Sequence, residues 1–167
     1  MKNILLVLAL MLSIPSFAQI KSAELTASGL TCSMCSKAIY KSLQKISVIR
    51  DIKVDIKKSS YLITFRDEAE VSLDVIKKAV EDAGFSVASL KVTANFDKVE
   101  VGQNAQVNLQ GNYYRFINVS KQTLQGVKTF EVVDKNYLPV KEYRRYEKSV
   151  VAESGGKRIY NVTLSKI

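Results

Sequence analysis

Histidine is missing altogether from this chain of 167 residues, and cysteine occurs only twice. Without histidine there is no imidazole to act as a general base or to serve as a nitrogen ligand for a metal. The Ser-His and Cys-His pairings that activate a nucleophile go with it. The glycines form no phosphate-cradling loop, and no pair of carboxylates stands out as an acid and a base. Asp51 and Asp55, and the group Asp67, Glu68 and Glu70, read as solvated strand and loop charges. Hydrolytic catalysis has no support in these residues, and the chain is not expected to be an enzyme. Proline is scarce too, with Pro15 and Pro139 the only two. The longest apolar run is too short for the ~20 residues of a membrane-spanning helix.

What is present begins with an export signal. Lys2 gives a positive start, Ile4 to Ile14 is almost unbroken apolar sequence, and Ser16-Phe17-Ala18 offers small residues at a cleavage site. Residues 1–18 therefore read as a secretory signal peptide, with a mature chain expected from Gln19 and the periplasm, across the inner membrane, as its destination. No cysteine follows the apolar run directly, which argues against a lipid anchor. In an oxidising compartment an adjacent dithiol rests as a disulfide unless it is kept reduced or loaded first.

The two cysteines lie in Gly29-Leu30-Thr31-Cys32-Ser33-Met34-Cys35. Two thiols three positions apart can point at one atom from a loop that turns into a helix. Apolar Ala38, Ile39, Leu43 and Ile46 recur at helical spacing just beyond. The helix start favours thiolate through its backbone N–H groups and dipole, and that weakens the proton's competition with a metal. Thiolate is a soft donor suited to Cu(I), which accepts two or three sulfurs. Zinc prefers four protein ligands, or three and a water, so two cysteines leave it short. A bare Cys-x-x-Cys also serves redox sites and short-loop disulfides. A thioredoxin-like oxidoreductase would want a cis-proline facing the dithiol, and Pro139 is far away in sequence. As a staple, a three-residue step closes a small, strained loop that adds little stability. That would leave a pure interaction module. Met34 could offer a thioether, but an exposed loop methionine is the simpler reading.

Over residues 22–92, clearest from Glu24 onward, the chain resembles a heavy-metal-associated domain of the copper-chaperone kind. The likeness is carried by Gly29-Leu30-Thr31-Cys32-Ser33-Met34-Cys35, by Ile52-Lys53-Val54-Asp55-Ile56, and by Ala79-Val80-Glu81-Asp82-Ala83-Gly84-Phe85. The family pattern is G-M-T-C-x-x-C, a V-x-V-D-L-like strand and an A-I-E-D-A-G-Y-like helix end, in the same order and spacing. Leu30 replaces the usual methionine, which packs beneath the loop, and leucine keeps that packing. Val48 stands where the family has a glycine before the second strand. The resemblance implies a β-α-β-β-α-β ferredoxin-like domain with Cys32 and Cys35 as the metal ligands. Cu(I) is the expected metal, with Hg(II), Zn(II) and Cd(II) as alternatives. Periplasmic mercuric-ion carriers resemble this layout as well, but lack an added β domain. The partner implied is a metal-donor or metal-acceptor protein such as a membrane metal transporter. Phe85 sits where the family has an aromatic or a lysine near the metal loop; core packing is its simpler role.

The residues outside those motifs fit the same α+β plan. Lys21 to Ala27 reads as a first strand and Tyr61, Ile63 and Phe65 as a third. Ser72 is placed to cap a second helix with a stripe of Leu73, Ile76, Val80 and Ala83, and Gly84 to end it. Phe85 to Val92 reads as a fourth strand. From Thr93 helical periodicity disappears. Val107 and Leu109, Tyr114 and Phe116, Val127 to Val133, the charged run Glu142 to Glu147, and Arg158 to Leu164 form short runs separated by turn signals, Gly155-Gly156 among them. The domains expected are thus 1–18, a ferredoxin-like domain over 19–92, and a small all-β domain over 93–167, an OB-like barrel.

Net charge is +9, or +8 once Lys2 is removed, and residues 91–167 carry 13 basic against 7 acidic groups. In an exported protein this asymmetry points to an anionic membrane surface or an acidic partner for the β domain, or to a solvated basic face. Tyr113-Tyr114-Arg115 and Tyr143-Arg144-Arg145-Tyr146 interleave aromatics with cations. Alternation between core and solvent explains them better than nucleic acid, which is not an expected partner.

Overall fold

The computed structural model describes residues 19–30, 33–67 and 69–165. The expected signal peptide lies outside them. The first half runs β1 (Gln19–Ser28), α1 (Ser33–Leu43), β2 (Ile49–Asp55), β3 (Ser60–Phe65), α2 (Leu73–Asp82) and β4 (Ser86–Val101). Its strands lie in the order β2-β3-β1-β4, every neighbour antiparallel. This is the ferredoxin-like arrangement that the motifs imply.

The helices form because each can bury one stripe. On α1 Ile39 and Leu43 are fully buried, whereas Ala38, placed on the same stripe by spacing, faces solvent. On α2 Leu73, Ile76, Ala79 and Val80 meet the sheet. Gly84, at φ +88°, ends α2. Its N–H bonds to the Glu81 carbonyl at 2.9 Å and that of Phe85 reaches back to Val80 at 3.1 Å. This is the paired-bond stop that a left-handed glycine permits. Ser72 holds the N-cap position without a side-chain capping bond. Its hydroxyl lies 3.5 Å from that of Tyr160 instead. β2 is the outermost strand, so Ile52 is only half-buried and Val54 and Ile56 are exposed.

The second half does not close into an OB-like barrel. It runs β5 (Gln106–Leu109), β6 (Asn112–Phe116), β7 (Gln122–Val132), a short α3 (Val140–Tyr143), β8 (Glu153–Ser154) and β9 (Lys157–Leu164). These strands extend the first sheet into the path β2-β3-β1-β4-β7-β9-β6-β5, with β8 paired to β9. β6 and β9 are parallel. The expected boundary at 92/93 falls inside β4. No proline or glycine interrupts the alternation of Val92, Ala94 and Phe96, so the strand continues, and β7 pairs with it from Lys91 to Val101. The run Glu142 to Glu147, read among the strands, instead forms the end of α3 and the turns after it. Pro139 fixes the entry at φ −55°, a geometry suited to opening a helix.

One core serves both halves. Phe130 on β7 packs edge-on against Phe96, Tyr114 and Phe116, in the same cluster of buried residues as Leu25, Ile39 and Tyr61. Polar bonds close the seam. Asp74 at the start of α2 accepts from Tyr137 (2.7 Å), Arg158 (2.9 Å) and Tyr160 (3.2 Å). Arg158 also donates to Asp134 at 3.0 Å. Asn161 holds the other oxygen of Asp134 at 2.7 Å. Burial alone would raise the Asp74 carboxyl, but the bonds from Arg158 and the two tyrosines and the charge of Arg158 leave it below the usual range. Asp134 is more deeply enclosed, and there burial outweighs its bonds and pushes its carboxyl up. Further along, the Gln110 side chain accepts from the Ile20 N–H at 3.0 Å, and Asn112 donates to the Val71 carbonyl at 3.2 Å.

Candidate metal centre

Strand direction gathers three loops at one end of the ferredoxin-like half. β1 leads up to Ser28, β2 and β3 turn at residues 56–59, and α2 turns into β4 at 83–85. The Ala27 N–H bonds to the Ser59 carbonyl at 3.1 Å. Ser28 pairs with Ser86, and its hydroxyl donates to the Ser86 carbonyl at 3.3 Å. Gly29 has φ +82°, and a Cβ there would lie 3.9 Å from the Phe85 ring. A left-handed residue is needed at this point to leave the strand and enter the loop.

The cysteine loop occupies that end. Leu30 is half-buried and packs on the core, the place expected for it. Thr31 and Cys32 lie outside the described residues. Ser33 opens α1, Met34 is 73% exposed, and Cys35 is half-buried in the first turn. That turn carries no acidic side chain among the described residues. Beneath it lies Tyr61, fully buried, its hydroxyl donating to the Ser36 carbonyl at 3.3 Å. Burial pushes the Tyr61 hydroxyl up, and the nearby Cys35 adds to that. Phe85 is half-buried, packs on the core and touches the loop at Gly29. Among the described residues no three His, Cys, Asp or Glu side chains converge on one point.

Sequence reasoning missed a neighbour of this end. Asn136, Leu138, Pro139 and Val140 of the second half share a cleft of about 360 Å³ with Ser28, Glu81, Ser86 and Val87. No local signal announces a contact between residues that lie so far apart in the chain. Of the aromatic–cation runs, Tyr113-Tyr114-Arg115, by contrast, resolves as structure. Tyr114 is fully buried, while Arg115 donates to the Ser149 carbonyl (2.9 Å) and to Asn104 (2.8 Å).

Residues 24–86 match the model of the heavy-metal-associated domain. The mercuric transport protein periplasmic component of Pseudomonas fluorescens is 33% identical over 86 residues, 51% of this chain and 93% of that protein. This chain belongs to the heavy-metal-associated domain family. A probable copper-exporting P-type ATPase of Archaeoglobus fulgidus is 30% identical over 59 residues, 35% of this chain and 7% of the ATPase. Among solved structures, apo-CopP of Helicobacter pylori is 31% identical with a TM-score of 0.35, over 40% of this chain and 98% of CopP. The family match ends at Ser86, inside β4's first residue, so the second half lies beyond it.

Proposed function

We propose that this protein is an exported soft-metal carrier that holds Cu(I) between Cys32 and Cys35 and hands it on by thiolate exchange in the periplasm. The observation that carries the reading is the placement of Cys35. It sits in the first turn of α1, a turn without an acidic side chain, inside the region that matches the heavy-metal-associated domain, and a helix start favours thiolate. Two thiolates satisfy Cu(I). In transfer, an incoming thiolate of the partner bonds to the metal before one of the two cysteine sulfurs leaves, so the ion passes through a three-sulfur stage and no electron moves. The partner is a metal-donor or metal-acceptor protein such as a membrane metal transporter, and the chain acts as a carrier without being an enzyme.

Hg(II) is the second reading, favoured by the mercuric transport relatives, which span nearly their whole length on this chain. It accepts the same two sulfurs. The mercuric relatives and the copper-exporting ATPase alike leave the second half unaccounted for, so loading with either ion is tested. X-ray absorption at the copper edge on the loaded, reduced protein tests the ligand set. The expected spectrum shows sulfur neighbours alone; a shell of nitrogen or oxygen donors in their place would remove the dithiol reading.

A further inference from the structure

We propose that the end of the molecule that carries the cysteine loop docks on the surface of an anionic phospholipid bilayer. The inference rests on the surface alone and does not depend on which metal, if any, the cysteines hold.

Exposed large apolar side chains are normal when scattered, but here they gather around one loop. Met34 is 73% exposed, Ile56 60% and Val140 71%. Met34 lies in the loop's own helix turn. Ile56 opens the 56–59 turn, which is bonded to Ala27. Val140 lines the cleft with Ser28 and Ser86 on the opposite flank. Each apolar tip is followed by exposed cations: Lys37 one helical turn after Met34, Lys57 directly after Ile56 with Lys58 beside it, 3.9 Å from Asp55, and Lys141 directly after Val140. An apolar tip that reaches the acyl boundary with ammonium groups at the phosphate level is the arrangement an anionic bilayer takes up. An acidic protein partner would be better served by one continuous apolar face, whereas these tips are separate and belong to different loops. Charge counting alone pointed to the second half as the membrane-facing part. The structure instead places Val140 of that half at the same end of the sheet as Ile56 of the other, on opposite flanks of β1.

The test uses the reduced, metal-free chain from Gln19 and sedimentation with vesicles of phosphatidylglycerol and phosphatidylcholine. The protein is expected to partition onto them, to be released by salt, and to ignore vesicles of phosphatidylcholine alone. Lys57→Gln and Lys141→Gln should each weaken partitioning about fivefold. Lys98→Gln, near the other end of β4, should leave it unchanged. The chain has no tryptophan, so Ile56→Trp gives a single emission that should shift to the blue when anionic vesicles are added. Failure to partition, equal weakening by Lys98→Gln, or an Ile56→Trp emission that does not move would each overturn the proposal. Binding to polyglutamate without binding to vesicles would give this end to an acidic protein instead.

Discussion

Residues 19–92 bury their apolar side chains under two helices of their own, whereas residues 93–165 bury theirs against a strand that begins in the first half. The ferredoxin-like unit contains everything its core needs: four strands, two amphipathic helices and the stops between them. The second half puts its aromatic bulk on β6, β7 and β9 into the shared core and keeps only a small cluster of its own, Ile117, Val133 and Leu138 under Tyr143 and Tyr146. It takes β4 as a neighbour and anchors on α2 through Asp74. A domain whose elements pack on their sequence neighbours can be recognised from local patterns and reused alone. A domain completed by someone else's strand cannot.

Dividing the chain between Val92 and Thr93 should give the largest effect. The piece 19–92 is expected to fold, with dispersed amide resonances, since its mercuric transport relatives have little beyond this unit. The piece 93–167 is expected to remain unfolded, having lost the strand that β7 pairs with. Two independently folded pieces would abolish the distinction between the halves.

Phe130→Ala comes next. It empties a fully buried ring site shared with Phe96, Tyr114 and Phe116, a loss of about 3–5 kcal/mol. Urea unfolding should still show one transition followed identically by probes in either half, because the core is shared. Two separate transitions would break the claim of a common core.

Asp74→Asn tests the polar seam. Asp74 keeps more than a third of its side chain exposed, so its charge-assisted bonds are discounted for solvent to about 1–2 kcal/mol. The sign follows from its lowered carboxyl. The contribution is present above the ordinary aspartate pKa of about 4 and fades as pH falls below it through the folded value. Stability measured at pH 7 and pH 3 should therefore show a gap between wild type and variant that narrows in acid. Asp134, with its carboxyl raised, works in the opposite sense, so a gap that widens in acid would contradict the assignment of Asp74. The smallest effect belongs to Tyr61→Phe. It removes one long hydrogen bond at 3.3 Å to the start of α1 and should cost under about 1 kcal/mol, read from the same denaturation curves.

The sequence made the first half legible because its signals are local. Gly84 after a helical stripe, the alternation of Tyr61, Ile63 and Phe65, and glycine before the cysteine loop each act within a few residues. In the second half the strands at Val107–Leu109, Tyr114–Phe116 and Arg158–Leu164 and the turn at Gly155-Gly156 could be read for the same reason. Their partners could not. Nothing in Tyr114 or Tyr160 says that their strands lie on opposite sides of a parallel ladder, and nothing in Tyr137 says that it reaches Asp74, 63 positions back. The missing OB-like barrel has the same origin: strand count was visible, and pairing was not. At the candidate site the helix start and Leu30 were readable, whereas the neighbouring residues 136–140 were not.

The most direct measurement is an anaerobic titration of the reduced chain from Gln19 with Cu(I) against a competing chelator, alongside the Cys32→Ser/Cys35→Ser double variant. One tight equivalent is expected in the wild type and none in the variant. Binding that survives loss of both cysteines, or no tight binding in the wild type, would contradict it.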